Sequence, residues 1–268
     1  MTHPKFTGPH DEMDRNLPPV QARSMLTLPR PFLPLNSPLP MKTLHDALLY
    51  GILDLGYVAP NQLEAVTEKM LTGGVDVLQL RAKDFPEEQI EDFARRIVSI
   101  TEAASVPLIL NDFPELVPAV GAQGAHLGQE DFSVDDARWR AGRALAGEVP
   151  PPIIGKSTHS LDQAVAAADN GADYLGFGPL FPTPTKPGRP AIGLENITRV
   201  YELVNRPVFC IGGIHRDNLD TVLNAGAQRV VIVSGILQAA DIVAYCTDVR
   251  KELAGRAVAR LKAGKAGA

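Results

Sequence analysis

Between residues 178 and 188 the chain reads Gly178-Pro179-Leu180-Phe181-Pro182-Thr183-Pro184-Thr185-Lys186-Pro187-Gly188, directly after the apolar run Tyr174 to Gly178. Two hydroxyls, Thr183 and Thr185, stand beside the ammonium of Lys186. The prolines at 182, 184 and 187 fix φ and remove backbone donors. The residues before them are pushed toward extended geometry. Such a loop has little entropy left to lose when a ligand arrives. Hydroxyls and an ammonium held this way suit an anionic, phosphorylated substrate. The same stretch also reads as a proline-rich surface turn.

Other polar groups cluster where apolar runs stop. In Gln79-Leu80-Arg81-Ala82-Lys83-Asp84, strand alternation puts Gln79, Arg81 and Lys83 on one side. One amide and two cations are costly to bury without a partner. A bound polyanion supplies one; salt bridges to Asp84 or to carboxylates on other strands are the alternative. Asn111-Asp112 and Gly128-Gln129-Glu130-Asp131 follow two further runs. Two carboxylates, Asp112 and Asp131, with an amide near a basic cluster suit a hard divalent cation, most simply Mg²⁺. Asp131 also reads as the cap of a helix beginning near Val134, and the two roles are compatible. In Gly155-Lys156-Ser157-Thr158-His159-Ser160, Ser157 offers a hydrogen bond to a heterocycle. His159 invites a general-base role, though a lone histidine is more often structural. No spacing builds a triad with the two cysteines, so no nucleophile is expected. Gly212-Gly213 and Ser234-Gly235 place glycines where backbone N–H groups can approach an anion closely.

These groups need elements to hold them. From Thr43 onward, apolar runs alternate with amphipathic stretches. The expected strands are Leu48–Leu53, Val77–Arg81, Leu108–Asn111, Gly124–Leu127, Ile153–Ser157, Tyr174–Phe177, Val208–Ile211 and Val230–Val233. Continuously apolar runs fit parallel strands covered on both faces. Helices are expected over Gln62–Leu71, Pro86–Ala104, Glu115–Val120, Val134–Ala144, Leu161–Asn170, Leu194–Val204, Arg216–Ala225 and from Ala240 to about Leu261. Ser160 and Asp217 or its neighbours suit helix starts. Gly73-Gly74, Gly171 and Gly226 sit just past helix ends. Eight strands alternating with eight helices predict a closed (β/α)₈ TIM barrel over residues 43–268. A doubly wound open sheet would show a Gly-rich nucleotide turn after its first strand; Asp54-Leu55-Gly56-Tyr57 is not one. Catalytic groups in such barrels gather at the C-terminal ends of strands, and phosphate sites follow strands seven and eight.

Bulk properties narrow the partners. The chain has 268 residues, 45% of them hydrophobic, and a net charge of −5, which argues against a nucleic-acid-binding surface. Cys210 and Cys246 make no disulfide framework, so a cytoplasmic setting is expected. No apolar run is long enough to span a bilayer, and the N-terminus lacks a signal pattern. Residues 1–42 form a proline-rich arm without sustained periodicity, expected to be disordered or loosely docked.

Read together and in order over roughly residues 45 to 255, these strings resemble the thiamine-phosphate synthase family. They are Gln79-Leu80-Arg81-Ala82-Lys83, Asn111-Asp112, His126-Leu127-Gly128-Gln129-Glu130-Asp131, Gly155-Lys156-Ser157-Thr158-His159, Pro182-Thr183-Pro184-Thr185-Lys186, Ile211-Gly212-Gly213-Ile214 and Val233-Ser234. The Pro-Thr-x-Thr-Lys loop is the most specific; Gly-Gly-Ile occurs in many phosphate-binding barrels. The resemblance implies condensation of 4-amino-2-methyl-5-hydroxymethylpyrimidine diphosphate with 4-methyl-5-(2-hydroxyethyl)thiazole phosphate, carboxylated or not. The products would be thiamine phosphate and pyrophosphate, with Mg²⁺ as cofactor. It implies that Gln79, Leu80, Arg81, Ala82, Lys83, Asn111, Ser157 and Lys186 bind the pyrimidine diphosphate. Thr183, Pro184, Thr185, Gly213, Val233 and Ser234 would bind the thiazole phosphate. Asp112 and Asp131 would hold the metal, and catalytic roles would fall on Arg81, Lys83, Lys186 and Ser157. The chain departs from the family at Ala82, usually acidic, in a longer Pro/Gly-rich stretch from Ala141 to Pro152, and in the N-terminal arm. A homodimer is compatible with the resemblance. Two other functions stay open: a thiazole tautomerase on the same barrel, and a non-catalytic barrel that binds thiazole phosphate or thiamine phosphate.

Overall fold

The computed structural model describes residues 41–142, 150–183 and 190–266. The expectations for the arm up to residue 40, for the middle of the 141–152 stretch, and for Pro184, Thr185 and Lys186 lie outside the described residues.

Eight parallel strands hydrogen-bond in sequence order, and the last closes on the first. They are β1 (Leu49–Asp54), β2 (Val77–Arg81), β3 (Leu108–Asn111), β4 (Gly124–Leu127), β5 (Ile153–Thr158), β6 (Tyr174–Phe177), β7 (Val208–Cys210) and β8 (Val230–Ile232). The helices are α1 (Leu63–Thr72), α2 (Glu87–Ala103), α3 (Val117–Val120), α4 (Val134–Gly142), α5 (Leu161–Asp169), α6 (Ile197–Leu203), α7 (Arg216–Asn224), α8 (Ser234–Leu237) and α9 (Ile242–Ala266). The TIM-barrel fold expected from the alternation is present. No helix among the described residues is long and apolar enough to cross a membrane.

Strand alternation splits the apolar residues into two layers. Leu53, Leu78, Leu80, Leu108, Leu175 and Val208 belong to the larger core between barrel and helices. Tyr50, Ile52, Val77, Ile109, Tyr174, Phe209 and Val231 fill the barrel interior. Leu44 and Ala47, from the segment before β1, join that inner cluster and close its lower end. The chain is tied to the barrel from Lys42 onward: its N–H donates to Ser105 O at 2.8 Å and its Nζ lies 3.2 Å from Asp76 Oδ1. Residue 42 therefore belongs with the barrel rather than with the arm.

Three local expectations need correction. β1 runs to Asp54, one residue past the expected end, because its carboxylate is neutralised by Arg81 across the register pair Asp54–Arg81. Ser133, not Asp131, opens α4: its Oγ accepts from Asp136 N at 3.1 Å. The segment after β8 makes two helices, short α8 and long α9, where one was expected. Ser160 does cap α5, accepting from Gln163 N at 3.2 Å. His215 and Asn218 form a reciprocal cap at the start of α7.

Candidate active site

At the C-terminal ends of the strands lies a cavity of about 800 Å³, counting space open to solvent. Gln79, Arg81, Asn111 and Ser157 line one part of it, and Thr183, Gly213, Val233 and Ser234 another. Residues assigned from sequence to two different substrates thus share one cavity.

The β2 end shows where alternation holds and where it stops. Gln79 and Arg81 face the cavity, whereas Leu80 and Ala82 are buried with Leu80 in the outer core. Any contribution from Leu80 to a ligand therefore runs through its backbone. Lys83 lies two residues beyond the end of β2 and is exposed, away from the cavity lining. Arg81 does not pair with Asp84. Its Nη1 donates to Asp54 Oδ2 at 2.7 Å, and Asp54 is 1% exposed. Asp54 also accepts from Gly56 N at 3.0 Å. Its carboxylate fixes the guanidinium while leaving other donors of the fork for an anion.

Asp112 follows β3 with φ +67°, in the left-handed region that aspartate tolerates better than most residues. Its N–H donates to His126 O at 2.9 Å. Asp131 Oδ2 accepts from Gly128 N, so the β4 loop turns back on itself. Lys156 Nζ donates to Phe132 O at 3.0 Å. Burial holds the Lys156 ammonium below its usual range, while Asp131 and then Asp112 pull it back up. Both carboxylates therefore act on the Lys156 ammonium, which with Asp131 lines a second pocket rather than the main cavity. Gln129 Nε2 donates to Ser157 O, tying that loop to the cavity wall. Among the described residues no three His, Cys, Asp or Glu side chains converge on a metal position. Carboxylate oxygens of this kind are the donors that magnesium takes, together with waters and substrate phosphates.

The β6 and β7 loops are built differently. Leu180 N donates to Ile211 O at 2.9 Å and Phe181 N to Gly212 O at 3.1 Å. Gly212 and Gly213 have φ +99° and +66°. A Cβ on Gly212 would lie 2.4 Å from Pro179 Cα, and one on Gly213 2.7 Å from Phe181 Cβ. The glycines let the two loops stack backbone on backbone and so place Thr183 at the cavity. Asn218 Nδ2 donates to Gly213 O at 2.8 Å. Val233 and Ser234 stand where β8 passes into α8; the first amides of that helix have no acceptor within it. His159 Nδ1 contacts Gly178 O, and its ring lines the cavity.

Sequence reasoning overlooked Asp54, which a strand-end reading of β1 would have found. It gave no role to His126, Tyr50 or Tyr174. His126 lines the cavity, and both tyrosines lie just beneath it, each 1% exposed. Burial pushes the thiols of Cys210 and Cys246 up to about 12, so neither offers a thiolate at neutral pH.

The thiamine monophosphate synthase family model matches residues 49–236. A thiamine-phosphate synthase of Thermus thermophilus is 44% identical over 190 residues, 70% of this chain and 88% of that relative. One from Chloroflexus aurantiacus is 37% identical, covering 76% of this chain and 92% of its own. The solved thiamine phosphate pyrophosphorylase of Pyrococcus furiosus superposes with a TM-score of 0.68 at 30% identity, over 78% of this chain and 96% of that one. On both the motifs and the barrel that holds them, the chain belongs to the thiamine monophosphate synthase family.

Proposed function

We propose that this transferase of thiamine biosynthesis works by a dissociative displacement, with both substrates bound side by side in the cavity above the barrel. The observation that carries this is the single cavity lined by Arg81, Asn111 and Ser157 together with Thr183, Gly213 and Ser234. Arg81 binds the diphosphate through donors that Asp54 leaves open. Asn111 and Ser157 hold the pyrimidine end; Lys83 and Lys186 add positive charge. Gly213, Val233 and Ser234 bind the thiazole phosphate with Thr183, Pro184 and Thr185.

Asp112 and Asp131 would hold Mg²⁺, whose chemistry is to neutralise charge building on the departing pyrophosphate. The bond broken joins a benzylic-type carbon to oxygen, and an electron-rich aminopyrimidine stabilises the resulting cation. Arg81 stabilises the developing negative charge. The walls hold the thiazole nitrogen in line with the carbon. No side-chain nucleophile takes part, consistent with the raised thiols of Cys210 and Cys246. The buried, unpaired cysteines favour a cytosolic setting.

Pyrophosphate release tests the proposal. The expected result is release that requires both substrates and is abolished by chelating divalent cations. Release with the pyrimidine substrate alone, or turnover indifferent to chelation, would contradict it. A tautomerase or a silent binding barrel would release none.

A further inference from the structure

Beneath the cavity a line of polar side chains crosses the barrel. Gln79 Nε2 donates to the Tyr50 hydroxyl at 2.7 Å. The hydroxyls of Tyr50 and Tyr174 are 2.8 Å apart. Tyr174 Oη lies 3.0 Å from His126 Nδ1, and His126 Nε2 lies 2.9 Å from Ser157 Oγ. Five strands (β2, β1, β6, β4 and β5) each supply one member. Tyr174 reaches across because its neighbour on β5 is Gly155: a Cβ there would lie 2.1 Å from the tyrosine ring. Burial raises the pKa of both phenols, so each keeps its single proton.

That proton count sets a direction. Among the described residues, the Tyr50 hydroxyl has two partners, Gln79 and Tyr174. Gln79 donates to it. Were Tyr174 also to donate, the Tyr50 proton would be buried without an acceptor, which is costly. Tyr50 therefore donates to Tyr174, and Tyr174 to His126 Nδ1. His126 is then neutral with its proton on Nε2, and that N–H donates to Ser157 Oγ. Among the described residues nothing in this line of side chains takes the Ser157 proton, and Ser157 lines the cavity. At the other end one of the two N–H groups of the Gln79 amide is committed to Tyr50, which fixes which way the amide faces and keeps its carbonyl in place as an acceptor.

We propose that Tyr50, Tyr174 and His126 are positioning residues that present a donor at Ser157 and an acceptor at Gln79, so that the pyrimidine subsite inferred above selects a 4-aminopyrimidine over its 4-oxo analogue. The aminopyrimidine offers an amine donor beside a ring-nitrogen acceptor. The 4-oxo form offers the reverse pattern, and would set its carbonyl against that of the buried Gln79.

Two measurements on the full chain test this. Nitrogen NMR of the histidine side chains, without substrate, reads the His126 tautomer. The expected state at neutral pH is the Nε2–H form, lost as a fixed tautomer in Tyr174→Phe. An Nδ1–H form or an imidazolium in the unaltered protein would overturn the direction. Competition between the 4-amino and 4-oxo pyrimidine diphosphates reads the consequence. Tyr174→Phe should lower the discrimination by at least about tenfold, with the KM for thiazole phosphate held within about twofold. Unchanged discrimination, with only stability lost, would reduce the chain to packing and overturn the proposal. Tyr50→Phe breaks the same line one link away and serves if the first variant does not fold. The tautomer is read without turnover, so an Nε2–H histidine in a protein that releases no pyrophosphate would sink the substrate assignment and leave the direction standing.

Discussion

Around the top of the barrel one side is built on charged side chains, of which Arg81 lines the cavity while Asp131 and Lys156 line a second pocket, and the other is built on backbone. Around β1 to β5, Arg81 pairs with Asp54, and the charges of Asp131 and Asp112 act on Lys156. Across the mouth, Pro179 to Pro182 stack on Gly212 and Gly213, with almost no side chain between them. The first side should fail when a charge is removed. The second should fail when volume is added. A diphosphate with a metal asks for the former, and a monophosphate bound through N–H groups asks for the latter.

The largest effect is expected from Asp112→Ala. Turnover should fall by about two to three orders of magnitude with the fold retained, read as pyrophosphate release alongside thermal melting. Normal turnover would remove Asp112 from the metal site.

Arg81→Ala comes next, and it should cost both activity and stability. Catalytic efficiency should drop about a hundredfold. Unfolding free energy should fall by roughly 3 kcal/mol, because Asp54 is left buried and charged. Adding Asp54→Asn should restore much of the stability and none of the activity. Recovery of activity would show that Arg81 serves the fold alone.

On the backbone side, Gly213→Val should strain a residue at φ +66° and press on Phe181. A strain of about 1–3 kcal/mol would weaken thiazole phosphate roughly tenfold or more. The KM for the pyrimidine diphosphate should change far less. An equal rise in both would mean that the two sides are not separate subsites.

The smallest effect belongs to His159→Ala. Losing its contact with Gly178 O loosens one strut of the β6 loop, worth about 1 kcal/mol or roughly fivefold in rate. Complete loss of activity would instead assign His159 an acid–base role.

Much of this difference between the sides was legible in the chain. Apolar runs located all eight strands, because parallel strands covered on both faces are apolar throughout. Asn111, Ser157 and Gly213 were found as polar or small residues at strand ends. What the sequence withheld were partners. The carboxylate that neutralises Arg81 sits on β1, 27 positions earlier, and only barrel closure pairs the two. The line from Gln79 to Ser157 needs Gly155 to make room for Tyr174, and spacing along one strand does not reveal a contact across the axis. Lys83 lies past the end of β2, so alternation along that strand does not fix its side. Gly212 and Gly213 were read as an anion cradle, while in the fold they also seat the neighbouring loop.

A crystal soaked with Mg²⁺, pyrophosphate and thiamine phosphate would test the two-sided rim most directly. Pyrophosphate should lie on Arg81, with the metal between it and Asp112 and Asp131, and the phosphate of thiamine phosphate should lie on Gly213 and Ser234. Both anions on one side, or either one outside the cavity, would contradict it.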